Sequence, residues 1–98
     1  MDDYQGAIND YTMVIKLNPK DEDAFFNRGL MHDNLKEYDL AIADYSESIK
    51  LKPQGDAYYN RGCAKHDSGD KVGACQDWKK AASMGYSKAE TYIFKYCK

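Results

Sequence analysis

AFFNRGLMHDNLKEYDLAIADYSESIKLKP, residues 24–53, is the template for most of this chain. Moved forward by 33 positions, Ala24-Phe25-Phe26-Asn27-Arg28-Gly29 falls on Ala57-Tyr58-Tyr59-Asn60-Arg61-Gly62. Moved back by 34, its second half, with Tyr38, Ala41, Ile42, Asp44, Tyr45, Ile49 and Pro53, falls on Tyr4, Ala7, Ile8, Asp10, Tyr11, Ile15 and Pro19. Self-similarity at a fixed period of this length marks a stacked-repeat architecture.

Each unit reads as two helices. Tyr38, Ala41, Ile42, Tyr45 and Ile49 lie at i, i+3, i+4, i+7 and i+11, one stripe of a helix of period 3.6. Phe25, Gly29 and His32 are similarly spaced upstream, with a break over residues 34–37. Pro53 pushes the residue before it out of the α region, so the second helix ends near Leu51. A helix pair of this size cannot bury its apolar stripe alone, and neighbouring pairs must stack to close the core. Gly29 with Ala41, and Gly62 with Ala74, are the expected close-approach points within each pair.

Outward from the template, Asp2 or Asp3 caps a first helix with the stripe Tyr4, Ala7, Ile8, Tyr11 and Ile15, closed by Pro19. This matches the second helix of a unit, so the chain is expected to be cut from a longer array. Later helices are expected over about 56–67 and 71–84, stopped by Gly69 and Gly85. A last helix, through about Tyr96, has Ser87 and Glu90 as a capping box and Ala89, Tyr92, Ile93 and Tyr96 facing inward. The fold class is therefore all-α, an antiparallel helix-hairpin solenoid of about six helices. Its divisions are a partial unit at 1–20, units at 21–54 and 55–86, and a capping helix at 87–97.

The chain has 98 residues, 14 Lys and Arg against 16 Asp and Glu, and a formal net charge of −2. That suits one small domain and implies no general affinity for nucleic acid or anionic membrane. No run approaches a membrane span in length, and no signal-peptide pattern is present; the compartment stays open. The three cysteines form no CxxC. Cys75 and Cys97 are equidistant from Tyr86, where the final hairpin turns. The two thiols therefore sit at matching heights, either bridged or as two reduced thiols.

The spaced residues Phe25, Gly29, Tyr38, Ala41, Tyr45 and Pro53, then Tyr58, Gly62, Ala74 and Trp78, resemble the tetratricopeptide repeat. The pattern departs from that family in places. Arg28 and Arg61 replace a usual leucine, His32 and Lys65 a favoured tyrosine, and Lys71 and Tyr86 the helix-starting Tyr and the Pro of the last unit. The stretch DKVGACQDWKKAASMGYSKAE also looks like the related Sel1-type repeat. The resemblance implies a concave groove lined by the first helix of each pair. It also implies that Asn27 and Asn60 hold positions where asparagine commonly bonds the backbone of an extended peptide. The basic residues of the carboxylate-clamp subclass have no counterparts here.

Two in-phase features compete with a ligand site. Arg28 and Arg61 recur, as do Asp10, Asp44 and Asp77. An ionic ladder between helices is favoured over an arginine lining a site, because a half-buried Arg seeks a bidentate carboxylate. Cys63 and His66 lie three apart on one helix, yet nothing at recurring spacing supplies a third group to orient them. The favoured reading there is an exposed His beside a half-buried Cys. The sequence thus points away from an enzyme and indicates no cofactor and no metal.

What remains is a binding surface. Adjacent helical residues diverge by about 100°, so with Phe25 and Tyr58 inward, Phe26 and Tyr59 point partly outward. The expected groove residues are Phe26, Asn27, Leu30, Tyr59, Asn60 and His66. Asp23, Asp33, Asp56 and Asp67 beside them select a neutral or basic protein or peptide over an acidic one. The alternative is a structural segment whose role is stacking within a longer scaffold. The bare apolar stripe of the first helix further suggests head-to-tail association with the last helix of another copy.

Overall fold

Six α-helices follow one another in the computed structural model, which describes residues 3–98. They are α1 Tyr4–Leu17, α2 Glu22–Asn34, α3 Tyr38–Leu51, α4 Gly55–Ser68, α5 Lys71–Ser83 and α6 Lys88–Tyr96, with no strand among the described residues. Every extensive helix–helix contact joins neighbours in the chain, and α2 with α3 and α4 with α5 are the most extensive. The all-α helix-hairpin solenoid expected from the repeats is the observed fold.

Aspartates start three of the helices. Asp3, Asp21 and Asp70 accept hydrogen bonds from the backbone N–H groups of Gly6, Ala24 and Gly73 at 2.8, 3.1 and 2.9 Å, satisfying donors that have no partner inside the helix. Asp2, the alternative first cap, lies outside the described residues, as does Met1. The capping box expected at Ser87 and Glu90 does not form. Ser87 has helical dihedrals (φ −62°, ψ −26°) and makes no side-chain cap bond, whereas a capping residue needs extended backbone. Backbone bonds replace it, with Ala89 N donating to Tyr86 O at 3.1 Å and Glu90 N to Ser87 O at 3.0 Å.

The two hairpins close on glycine. A Cβ built on Gly29 would lie 2.8 Å from the Tyr45 ring, and one on Gly62 would lie 2.8 Å from the Trp78 indole and 3.1 Å from the Ala74 carbonyl oxygen. Tyr45 and Trp78 are the largest fully buried side chains and anchor the two core clusters. We expect Gly62→Ala to lower stability by about 1–2 kcal/mol in urea unfolding. The alanine gains up to about 1 kcal/mol of helix propensity, but overpacking against a ring and a backbone oxygen that cannot both yield costs about 1–3 kcal/mol or more.

Between helices of a pair the chain turns through a left-handed residue. In the second pair this is Gly69 at φ 102°, and in the first it is Lys36 at φ 61°. A non-glycine residue pays about 1–2 kcal/mol for that conformation, so the first hairpin carries a cost that the second avoids.

The two cysteines at matching heights are bridged. Cys75 and Cys97 form a disulfide with Cα atoms 5.8 Å apart, inside the span such a bond needs. It ties the end of α6 to α5. Ala89 is buried and Tyr92 and Ile93 are half-buried on the inward face of α6, while Tyr96 keeps 42% exposure.

Candidate functional site

Repeated arginines and aspartates fix the scaffold around the site. The Arg28 guanidinium in α2 donates from Nε and Nη2 to the two carboxylate oxygens of Asp44 in α3, both at 2.8 Å, and Arg61 in α4 does the same to Asp77 in α5 at 2.8 Å. Each arginine also reaches back to the preceding pair. Arg28 Nη1 donates to Thr12 Oγ1 in α1 at 3.2 Å, and Arg61 Nη1 to Ser46 Oγ in α3 at 3.1 Å. A second basic side chain completes each layer: His32 Nε2 lies 3.8 Å from Asp44, and Lys65 Nζ lies 3.1 Å from Asp77. The ladder is as the sequence suggested. Thr12 and Ser46 stand 34 residues apart, so the repeat itself carries the signal of these two hydroxyl contacts.

The arginines are therefore occupied, and the candidate site is the face where α2 and α4 lie side by side. Phe26, Asn27 and Leu30 are half-buried on α2, with Phe26 resting on Tyr45 at 5.7 Å between ring centroids. Asn27 makes no side-chain hydrogen bond to the described residues, while Asn60 Nδ2 donates to the Asp56 carbonyl of its own helix at 2.8 Å. Asn34 likewise donates to the Leu30 carbonyl at 2.8 Å.

Two of the expected groove residues are placed differently. Tyr59 does not point outward; it is only 6% exposed. Its ring lies against Tyr86 at 5.1 Å and edge-on to Tyr92 at 5.2 Å, with the Lys88 ammonium 5.4 Å from its centroid. The cause is α6, which covers the end of α4 and takes Tyr59 into the seam. His66 is not freely exposed either, since its ring lies between Trp78 at 5.6 Å and Tyr96 at 4.5 Å. The site residues open to a partner are thus chiefly those of α2, together with Asn60 and the rim of His66.

The electrostatics of this face centre on Asp33. The Tyr45 hydroxyl donates to Asp33 Oδ2 at 3.1 Å. Burial, and in smaller part the nearby Asp67 on α4, raise the Asp33 pKa against the pull of that hydrogen bond. The phenol itself is pushed well up by burial and by Asp33, so it remains the donor. Between them Asp33 and Asp67 leave negative charge on the face with no strong cation beside it; His66 Nδ1 is 3.7 Å from Asp67. Cys63, in the same region, is held as a neutral thiol, its pKa raised mainly by burial despite the Trp78 indole and the Tyr59 hydroxyl beside it. Among the described residues no cluster of three metal-ligating side chains occurs, and no helix is long and apolar enough to cross a membrane.

Depressions of about 450 and 380 Å³ lie at the α2–α3 turn, lined by Lys36 to Leu40 and Ser68, and beside α5, lined by Val72, Gln76, Tyr96 and Cys97. None of the six expected residues lines either one. An open face of half-buried apolar and amide side chains suits an extended partner better than a small molecule.

This is the architecture of a helical-repeat interaction module. Residues 22–54 match the family model of the tetratricopeptide repeat. Over 83 residues the chain is 39% identical to the Small glutamine-rich tetratricopeptide repeat-containing protein 2 of Saccharomyces cerevisiae, covering 84% of this chain and 24% of that protein. The crystal structure of MamA protein matches with a TM-score of 0.80 and 33% identity over 97% of this chain and 50% of that one. The chain spans about a quarter of the length of the yeast relative and half of MamA. Residues 22–54 are thus a tetratricopeptide repeat and the fold of the chain is similar to that of tetratricopeptide-repeat proteins, whose repeats generally mediate protein–protein interaction.

Proposed function

We propose that the α2–α4 face binds an extended protein segment of neutral to basic character, through Phe26, Asn27, Leu30, Asn60 and the rim of His66. The observation that carries this reading is the uncompensated charge at Asp33 and Asp67, which a lysine or arginine of the partner relieves. Phe26 and Leu30 supply apolar area next to it, and Asn27 supplies an amide that can both donate to and accept from a peptide backbone.

Calorimetric titration with short peptides of neutral, basic and acidic composition tests the assignment. Basic peptides are expected to bind best, and Asp33→Asn to weaken them about fivefold, the equivalent of about 1 kcal/mol. Equal binding of acidic peptides, or an Asp33→Asn variant with unchanged affinity, would overturn it.

Binding is also expected to depend on pH. A bound cation favours the ionised carboxylate, so affinity rises with pH through the raised Asp33 range and levels off above it. A carboxyl whose folded pKa is raised holds its proton more tightly in the folded state than in the unfolded one. Protonating Asp33 therefore does not unfold the protein, and affinity lost on acidification through that range reports the site.

A further inference from the structure

The strip that is open on α2 is shut on α4. Phe26 and Leu30 of α2 correspond, 33 residues on, to Tyr59 and Cys63 of α4. Phe26 is half-buried, while Tyr59 is only 6% exposed. Side chains of α6 make the difference. Tyr92 stands edge-on to Tyr59 at 5.2 Å, Tyr96 lies 4.5 Å from the His66 ring, and the two reach Trp78 at 5.3 and 5.8 Å. The backbone of α6 makes its extensive contact with α5, and covalently the two helices are joined at two places. Before α6 the chain turns through Gly85, left-handed at φ 88° with no atom within 4 Å of where a Cβ would stand. After it stands the Cys75–Cys97 bond. A turn free of packing at one end and a covalent tie at the other make a hinge and a latch.

We infer that the Cys75–Cys97 disulfide is a redox latch: its reduction lets α6 swing away at Gly85 and opens Tyr59, His66 and Trp78 as an aromatic extension of the α2 face. The inference rests on the reading of the α2–α4 face as a binding surface. Both cysteines are half-buried and line the depression of about 380 Å³ beside α5, so a thiol reaches the bond. The reductant is a dithiol. One of its thiolates attacks a sulfur of the bond, and the other cysteine sulfur leaves as a thiolate that takes a proton from water. The second thiolate then attacks the reductant sulfur of the mixed disulfide and releases the remaining cysteine. Two electrons pass to the protein, which gains two thiols, while the reductant becomes a cyclic disulfide. Cutting the tie restores freedom that a crosslink spanning 22 residues removes, and ring contacts alone then hold α6. Oxidised, the face takes a neutral to basic segment over α2. Reduced, it takes a longer segment with aromatic or aliphatic side chains as well, because the uncovered rings offer apolar area.

Amide hydrogen exchange and calorimetry on the full chain, with and without dithiothreitol, test this. On reduction, exchange in α6 is expected to speed up about tenfold or more while α2 to α5 keep their protection. A lysine peptide carrying two phenylalanines is expected to bind the reduced chain about tenfold more tightly than the oxidised one. The same peptide with serines for the phenylalanines is expected to bind both forms alike. Cys75→Ser/Cys97→Ser should match the reduced chain with or without dithiothreitol, and Cys63→Ala should respond as wild type. Unchanged exchange in α6 overturns the inference, and so does a phenylalanine peptide that binds both forms equally. A dithiothreitol response that persists in Cys75→Ser/Cys97→Ser, or vanishes in Cys63→Ala, also overturns it. Protection lost throughout α2 to α5 does the same, since the bond would then hold the whole fold. A serine peptide that binds neither form overturns the reading of the α2 face instead, and the exchange of α6 still decides the latch.

Discussion

Asp77→Ala is expected to destabilise the protein by about 3–5 kcal/mol, the loss of one partner of a buried ion pair. Asp77 is 4% exposed and accepts two 2.8 Å hydrogen bonds from Arg61, with Lys65 at 3.1 Å. Removing it leaves two cations against the core, and Arg61 also loses the partner that fixes its reach to Ser46. Asp10→Ala changes the same repeat position on α1, where the carboxylate is exposed, and is expected to cost no more than about 0.5 kcal/mol. Urea unfolding of both variants measures the contrast. Equal effects would mean that burial of the ladder, and not its repetition, has been misjudged.

Breaking the disulfide is the second large effect. The bond closes a loop of 22 residues between Cys75 and Cys97, and a crosslink of that length stabilises by about 3 kcal/mol through the unfolded chain. Little else ties α6 down. It has no side-chain cap and is nine residues long, too short to persist alone. Its attachments are Ala89, the rings of Tyr92 and Tyr96, and the Lys88 contact with Tyr59. Cys97→Ser is therefore expected to lower the thermal midpoint markedly. It should also raise the quenching of Trp78, the single tryptophan, whose ring lies 5.3 Å from Tyr92 and 5.8 Å from Tyr96. An unchanged midpoint and unchanged quenching would show that ring packing alone holds α6.

Much of this architecture was legible in the sequence because repetition doubles every signal. Arg28 with Asp44 and Arg61 with Asp77 recur in phase, which distinguishes a ladder from a ligand site in the sequence alone. The Cys75–Cys97 bridge was legible as a question of height on two antiparallel helices, though not as an answer, since oxidation state is not written in spacing. Tyr59 was misplaced for a physical reason. Helical periodicity says which way a side chain leaves its own helix, and cannot say that α6 and the Tyr86 turn will fold over it. Asp33 was named only as one charge of an acidic rim. Its special position depends on the Tyr45 hydroxyl and on Asp67, contacts that cross between helices and leave no trace at fixed spacing.

The neighbour-only pattern of helix contacts also bears on how quickly this molecule assembles. Each extensive interface joins segments adjacent along the chain, so closing any one requires a loop of no more than a helix pair. Low sequence separation between contacting residues places folding among the fast, helix-bundle rates, and nucleation can begin at either complete hairpin and spread by one helix at a time. The Gly69 hairpin, free of the left-handed strain at Lys36, is where that growth should start. Its neighbour then condenses onto a surface already formed.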